Sequence, residues 1–257
     1  MSNISECRIL SVHHWTERLF SFTATRDAGF RFQSGQFAMI GLRVGETQIM
    51  RAYSMVSPAY AETLEFLSIK APNGPLTTRL KLIQPGDSLL LGAKSSGTLL
   101  TSNLLPGRRL YLVSTGTGLA PFMSIIRDPE VYDQYERIVL IHNCRRVDEL
   151  AYRDLLASEL RADEWIGQAI TEKLIYLPMV TREPFEIMGR VTDRMRDETL
   201  FETVAMPPPG RDEDRFMVCG SPQMLADFCQ IMDEWGFREG SSNRPGQFVI
   251  ERAFVDK

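Results

Sequence analysis

One short segment in the first quarter of the chain suits a ligand that carries both a phosphate and a flat ring. Arg51, Ala52, Tyr53 and Ser54 follow one another. The cation can pair with phosphate, the aromatic ring can stack, and the hydroxyl can hydrogen-bond to a ring edge. Taken alone, the segment is equally compatible with an ordinary strand, because strands commonly contain Tyr and Ser.

A glycine-containing turn, Ser-Thr-Gly-Thr-Gly-Leu-Ala-Pro at 114–121, joins a short apolar run to a predicted helix. Glycines let the backbone approach a ligand closely, and free amides at a helix start favour phosphate. The third glycine of the usual dinucleotide fingerprint is missing, because Pro121 occupies that region. A plain strand–helix turn is therefore the alternative interpretation.

Arginines follow the second and third predicted strands of the C-terminal half. Cys144, Arg145 and Arg146 come after the run 137–142, Thr181 and Arg182 come after 173–177, and Arg190 lies a little further on. Sheets that bind NAD tend to place a carboxylate after the second strand, whereas arginines attract a 2′-phosphate. The pattern favours NADP(H), with solvated surface arginines as the alternative.

The elements that must position these residues fall into two groups. The first hundred residues contain short β-favouring runs separated by turns, which predict a closed antiparallel β-barrel, with one short helix at 76–83. The second group alternates strands and helices, which predicts a parallel, helix-covered sheet. The fold class is therefore a two-domain chain, an N-terminal antiparallel β-barrel (1–104) followed by an α/β parallel-sheet nucleotide-binding domain (105–257).

Predicted helices of the second domain lie at 121–126, 149–160 and after Ser221. The last is well signalled, with Ser221 as N-cap, Pro222 at the first position, an apolar face and Gly236 as the stop. Residues 207–214, Pro-Pro-Pro-Gly-Arg-Asp-Glu-Asp, predict an exposed loop.

Composition excludes several classes of function. The net charge of −4 argues against nucleic acid as a partner. No apolar run has the roughly 18 residues that span a bilayer, and no secretory signal is visible, so we expect a cytoplasmic protein without membrane contact. The four cysteines have neither Cys-x-x-Cys spacing nor a histidine pair near them, so we expect no metal site.

Four motifs in order resemble the ferredoxin–NADP reductase family, and the resemblance covers about residues 5 to 257. The C-terminal segment 249–257 looks like the bacterial branch. The motifs are Arg-Ala-Tyr-Ser at 51–54, Gly-Pro-Leu-Thr-Thr at 74–78, Ser-Thr-Gly-Thr-Gly at 114–118 and Cys-Gly-Ser-Pro-Gln-Met at 219–224.

The resemblance implies that the barrel carries FAD. Arg51 would pair with the FAD pyrophosphate, Tyr53 would pack against the flavin, and Ser54 would hydrogen-bond near flavin N5. Thr117 would touch the flavin from the second domain. The remaining residues implied to contact FAD are Ala52, Leu67, Ser68, Ile69, Lys70, Pro75, Leu76 and Thr77.

The resemblance also implies a catalytic set. Cys219 would lie beside the nicotinamide as a positioning group, because hydride transfer needs no covalent intermediate. Glu251 would relay a proton to N5, with a solvated surface carboxylate as the alternative. Plant-type members end in a tyrosine over the flavin; here Ala253 would face the isoalloxazine and Phe254 would stack on adenine.

The function implied is an FAD-dependent oxidoreductase that exchanges a hydride with NADP(H) and single electrons with ferredoxin or flavodoxin, as a monomer. Such carriers are usually acidic, so we expect a basic docking patch from Arg79, Lys81 and Lys94. Two alternatives remain: an NADH-linked reductase that serves a cytochrome or an oxygenase, and a flavin-binding subunit that free NADPH does not reduce.

Overall fold

The computed structural model describes residues 4–71 and 74–252. The N-terminal half forms one antiparallel sheet of six strands in the order β4-β3-β6-β1-β2-β5. The strands are β1 (Ile4–His14), β2 (Leu19–Thr25), β3 (Phe37–Val44), β4 (Thr47–Ser54), β5 (Thr63–Ile69) and β6 (Ser88–Ser96).

The two edge strands of this sheet, β4 and β5, curl towards each other and meet at one bridge between Met55 and Phe66. The predicted antiparallel barrel is confirmed, but the prediction that it closes is wrong, because no continuous ladder joins β4 to β5 in the part of the chain that the structure describes. The interior is filled by aromatic and aliphatic side chains, and Leu80 of α1 (Thr77–Leu80) is fully buried among them. The predicted helix 76–83 is thus shorter than expected.

The C-terminal half forms a five-stranded sheet in the order β11-β10-β7-β8-β9. All neighbours are parallel, as predicted. Every residue of β10 is buried, as expected for a central strand covered on both faces. The strands are β7 (Arg109–Thr115), β8 (Arg137–Cys144), β9 (Leu174–Val180), β10 (Asp214–Gly220) and β11 (Phe248–Arg252).

Short helices connect these strands, and only the last is long. The side chain of Ser221 accepts a hydrogen bond from the Met224 amide, which confirms the predicted N-cap of α8. The exposed loop before β10 is also confirmed, except that Asp214 is buried as the first residue of that strand. The helices are α2 (Ala120–Ile125), α3 (Pro129–Gln134), α4 (Arg153–Ala157), α5 (Gly167–Lys173), α6 (Val191–Arg196), α7 (Thr199–Thr203) and α8 (Pro222–Glu234).

The predicted helix 149–160 is wrong in detail. A 3-10 turn at Val147–Glu149, helix α4 and a second 3-10 turn at Glu159–Ala162 occupy this stretch. The break before α4 lies at Tyr152, whose φ of 60° and ψ of 14° are left-handed. A right-handed helix cannot continue through such a residue.

The two halves share one hydrophobic core. Val56 and Leu67 of the barrel half pack in the same buried cluster as Phe122 and Met123 of α2. The barrel is therefore packed directly against the helix that follows the glycine turn. Among the helices that the structure describes, none is long and apolar enough to cross a bilayer.

Candidate active site

The glycine turn lies at the carboxyl edge of the parallel sheet. Residues Gly116–Leu119 form a 3-10 turn between β7 and α2. Gly116 has a φ of 55°, and a Cβ at Gly118 would lie 2.1 Å from the Cys219 carbonyl oxygen. Only glycine permits this approach, so the turn and the end of β10 are in backbone contact.

Thr117 of this turn has a buried hydroxyl. Its Oγ1 has no hydrogen-bond partner among the residues that the structure describes. Buried hydroxyls are normally paired, and an orphaned one is an expected feature of a site that a ligand completes. This observation fits the predicted contact between Thr117 and a flavin.

A hydrogen-bonded carboxylate lies where the two halves meet. Ser54 Oγ at the end of β4 donates to Glu251 Oε1 at 3.4 Å, and the Thr98 amide donates to Glu251 Oε2 at 3.1 Å. Burial raises the pKa of Glu251 to about 7, although the hydrogen bonds from Thr98 and Ser54 oppose it. A carboxyl that titrates near neutrality can both hold and release a proton at working pH.

Cys219 is paired in register with Ser114 on one side and Glu251 on the other. It is 1% exposed, and burial raises the pKa of its thiol well above the usual value. A neutral thiol is a poor nucleophile, which agrees with the predicted positioning role. Register thus brings Cys219 and Glu251 to one edge, with Ser54 in contact with the latter.

The flavin segment predicted from sequence lies on the edge strand β4. Tyr53 is half-buried, and its hydroxyl is 3.1 Å from Ser68 Oγ on β5. Arg51 is half-buried, its Nη1 donates to the Met50 carbonyl, and it has no ion pair within residues 4–71 and 74–252. A guanidinium in this state has donors left for an anion.

The rest of the predicted flavin contacts surround this strand end. Leu67 and Ser68 are buried, whereas Ile69 and Lys70 are half-buried and Ala52 is exposed. At the start of α1, Pro75 is exposed and Leu76 is buried. The Thr77 hydroxyl is 3.3 Å from the Ala71 carbonyl oxygen, to which it donates.

The predicted 2′-phosphate site brings its two loops together. The Thr181 amide donates to the Cys144 carbonyl at 3.0 Å, and the Arg182 amide donates to the Arg145 carbonyl at 2.9 Å. Arg145, Arg182 and Arg190 are exposed, and none forms an ion pair with another described residue. The neighbouring Arg146, by contrast, pairs with Asp148 and Glu183.

The side chain of Cys144 points into the protein. Its Sγ lies 3.2 Å from His142 Nε2, and its thiol donates to the Glu149 carbonyl at 3.3 Å. Burial raises the pKa of the Cys144 thiol to about 12 and lowers that of His142 to about 3, so both are neutral. The contact of His142 with Cys144 was not predicted, although alternation along β8 places residues 142 and 144 on one face.

Thr98 was also not foreseen, because nothing in its local sequence marks its amide as a partner for Glu251. Ala253 and Phe254, predicted to cover the flavin face and the adenine, lie outside the described residues.

Comparison with known proteins agrees with this geometry. Residues 9–96 match the model of an oxidoreductase FAD-binding domain, and residues 112–230 match that of an oxidoreductase NAD-binding domain. The chain is 54% identical to a ferredoxin–NADP reductase of Azotobacter vinelandii over the whole of both chains. It is 46% identical to a flavodoxin/ferredoxin–NADP reductase of Rhodobacter capsulatus, covering 96% of this chain and 92% of the relative.

A solved structure shows the same fold. A ferredoxin NADP+ reductase from Neisseria gonorrhoeae with bound FAD and NADP superposes with a TM-score of 0.90 at 30% identity, covering 99% of this chain and all of the other. Fold and site together define a two-domain flavoprotein oxidoreductase that uses a pyridine nucleotide. The chain belongs to the ferredoxin–NADP reductase family.

Proposed function

We propose that this protein is a reductase that exchanges a hydride with NADP(H) and single electrons with ferredoxin or flavodoxin. The observation that carries the proposal is the contact of Ser54 with Glu251, which joins the proposed flavin strand to the nucleotide-binding sheet beside Cys219. We assign FAD binding to residues 1–104 and NADP(H) binding to residues 105–257.

FAD, when bound, supplies a centre that takes up a hydride and gives out electrons one at a time. Arg51 would pair with its pyrophosphate, with Thr77 at the start of α1, and Tyr53 would pack along the flavin. The orphaned Thr117 hydroxyl supplies a further polar contact from the second domain. The residues present therefore fit the group.

Ser54 and Glu251 would manage the proton at the flavin edge. The Glu251 carboxyl accepts from Ser54 and has a pKa of about 7, so a proton can pass between the carboxyl and a group that Ser54 contacts. Cys219 would support the nicotinamide, because its neutral side chain excludes water without competing for the hydride.

Arg145, Arg182 and Arg190 would hold the 2′-phosphate of NADP(H). They form an exposed set of guanidinium groups that have no ion pair among the described side chains. Such groups bind phosphate through short, charge-assisted hydrogen bonds. This arrangement favours NADPH over NADH and thus disfavours the NADH-linked alternative. We retain Arg79, Lys81 and Lys94 as the docking patch for an acidic carrier.

An anaerobic titration tests the proposal. Adding NADPH to the FAD-loaded protein should bleach the flavin absorption band at close to one equivalent, and oxidised ferredoxin or flavodoxin should restore it. A protein that binds FAD but is not bleached would be an electron-transfer subunit instead, and the proposal would fail.

The C-terminal tail supplies a second test. If Ala253 faces the isoalloxazine and Phe254 stacks on adenine, deleting residues 253–257 should weaken FAD retention. The deletion should also speed reduction by NADPH, because the nicotinamide would no longer have to displace the tail before it stacks on the flavin. Unchanged NADPH kinetics and unchanged FAD retention would refute the assignment.

A further inference from the structure

A polar cluster joins the two domains at the far end of α2 from the glycine turn. We call it the Glu65 cluster; it consists of Glu65, Arg127 and Tyr152. The Tyr152 hydroxyl donates to Glu65 Oε1 at 2.7 Å, and Arg127 Nη2 lies 3.7 Å from Glu65 Oε2. Glu65 belongs to the barrel, whereas both of its partners belong to the α/β half.

Tyr152 is held in an unfavourable backbone conformation. Its φ of 60° is left-handed, which a bulky non-glycine residue rarely adopts and which persists only when surrounding contacts enforce it. The side chain is 4% exposed, and its ring packs against Trp15 of the barrel half with the centroids 4.7 Å apart. Burial raises the pKa of the Tyr152 hydroxyl, so it stays a donor to the Glu65 carboxylate.

The backbone of Glu65 is hydrogen-bonded to the residues that follow β4, the strand that carries Arg51, Tyr53 and Ser54. Its amide donates to Ser57 Oγ at 2.9 Å, and its carbonyl accepts from the Val56 amide at 2.8 Å. Residues 56 and 57 follow Ser54 almost directly. Glu65 itself is two residues before Leu67, where the proposed flavin contacts of β5 begin.

Helix α2 and the arginine that follows it connect the α/β half to residues 56 and 57 of the barrel half. Arg127 follows α2, donates through Nε to the Met123 carbonyl at 2.9 Å, and donates through Nη2 to the Val56 carbonyl. Ser124 of α2 donates to the Ser57 carbonyl at 2.8 Å. Helix α2 begins at the turn that carries Thr117, so its placement against residues 56–57 sets how the turn faces Ser54.

We propose that Glu65 is a positioning residue for hydride transfer, which acts through Tyr152 and Arg127 to fix the distance between the flavin strand and the nicotinamide site. The inference rests on the proposed function. Glu65 is not among the residues proposed to contact FAD or NADP(H); it aligns the two domains that would hold them. Hydride transfer requires near-attack geometry, and a displacement of about 1 Å can cost on the order of 100-fold in rate.

Two variants test the proposal in the FAD-loaded protein. Tyr152→Phe removes only the hydroxyl, and Glu65→Gln keeps an acceptor for Tyr152 while removing the charge that faces Arg127. Tyr132→Phe is the matched control, because Tyr132 is also buried and its hydroxyl donates to the Ile126 carbonyl at 2.6 Å within one domain.

Stopped-flow mixing with NADPH gives two readouts, the rate of hydride transfer and the long-wavelength charge-transfer absorption of stacked nicotinamide and flavin. Tyr152→Phe and Glu65→Gln should each lower the rate by about 10-fold or more and weaken the charge-transfer band, with the KM for NADPH changed less than about 3-fold. The double variant should lose less than the product of the two single losses, because both changes act on the same three-residue cluster. Tyr132→Phe should leave rate and band unchanged.

An unchanged charge-transfer band and rate in both cluster variants, in a wild-type protein that NADPH does reduce, would overturn the positioning role alone. Equal losses in Tyr132→Phe would also overturn it, because the effect would then be general destabilisation. Failure of the wild-type protein to be reduced by NADPH would instead refute the proposed function.

Discussion

The centre and the rim of the candidate site are built in opposite ways. At the centre, Ser54, Glu251 and Cys219 are wholly or partly buried and are held by hydrogen bonds or strand register. At the rim, Arg145 and Arg182 are exposed, and their backbones are hydrogen-bonded to each other. The difference implies that the centre determines the rate of chemistry, whereas the rim determines how tightly, and which, nucleotide binds.

The contrast between centre and rim is most strongly tested by Glu251→Gln, which keeps the shape of the side chain and removes the titratable carboxyl. We expect kcat for NADP+ reduction by a reduced carrier to fall about 100-fold, with little change in KM, because general acid–base groups contribute on that order. Steady-state kinetics measure both constants. Glu239→Gln, an exposed carboxylate before β11, is the control and should have no effect.

The pH dependence of kcat for the same reaction shows whether Glu251 acts as a proton donor. With a pKa of about 7, the Glu251 carboxyl is protonated below pH 7 and able to donate, so the wild-type rate should fall as pH rises through 7. Glu251→Gln should lack this step. A wild-type profile that is flat from pH 6 to 8 would remove Glu251 from the proton path.

Arg145→Ala tests the rim with a smaller effect. Loss of charge-assisted hydrogen bonds to a 2′-phosphate costs about 1.5–3 kcal/mol, which raises the KM for NADPH about 10- to 150-fold. The kcat and the KM for NADH should stay nearly constant. Arg196→Ala, an exposed arginine at the end of α6, should change neither. Equal losses with NADPH and NADH would show that Arg145 does not recognise the phosphate.

Tyr53→Phe has the smallest expected effect, because the change removes only a hydroxyl at a residue that belongs to neither the centre nor the rim. It removes the 3.1 Å contact with Ser68, worth about 1 kcal/mol, and keeps the ring that would pack on the flavin. Thermal unfolding should show a slight loss of stability, and FAD should be retained. A fall in kcat as large as that of Glu251→Gln would place Tyr53 in the centre instead.

Local sequence patterns indicate the position of the rim residues, whereas the contacts within the centre have no local signal. Arginines after strand ends are visible because parallel strands finish at one edge, and helix α8 is visible because Ser221 and Pro222 mark its start. The contact between Ser54 and Glu251 joins positions 197 residues apart, and no local pattern specifies it. The left-handed Tyr152 was likewise hidden, since tertiary contacts and not local propensity hold it.

The most direct test of the central claim is the rate at which NADPH reduces the FAD-loaded Ser54→Ala variant, measured by anaerobic stopped flow beside its FAD content. Ser54 touches Glu251 and is proposed to touch the reacting edge of the flavin. The account predicts full FAD content with hydride transfer slowed by about 10-fold or more, on the order of one lost hydrogen bond to the reacting group. An unchanged rate at full FAD content would contradict it.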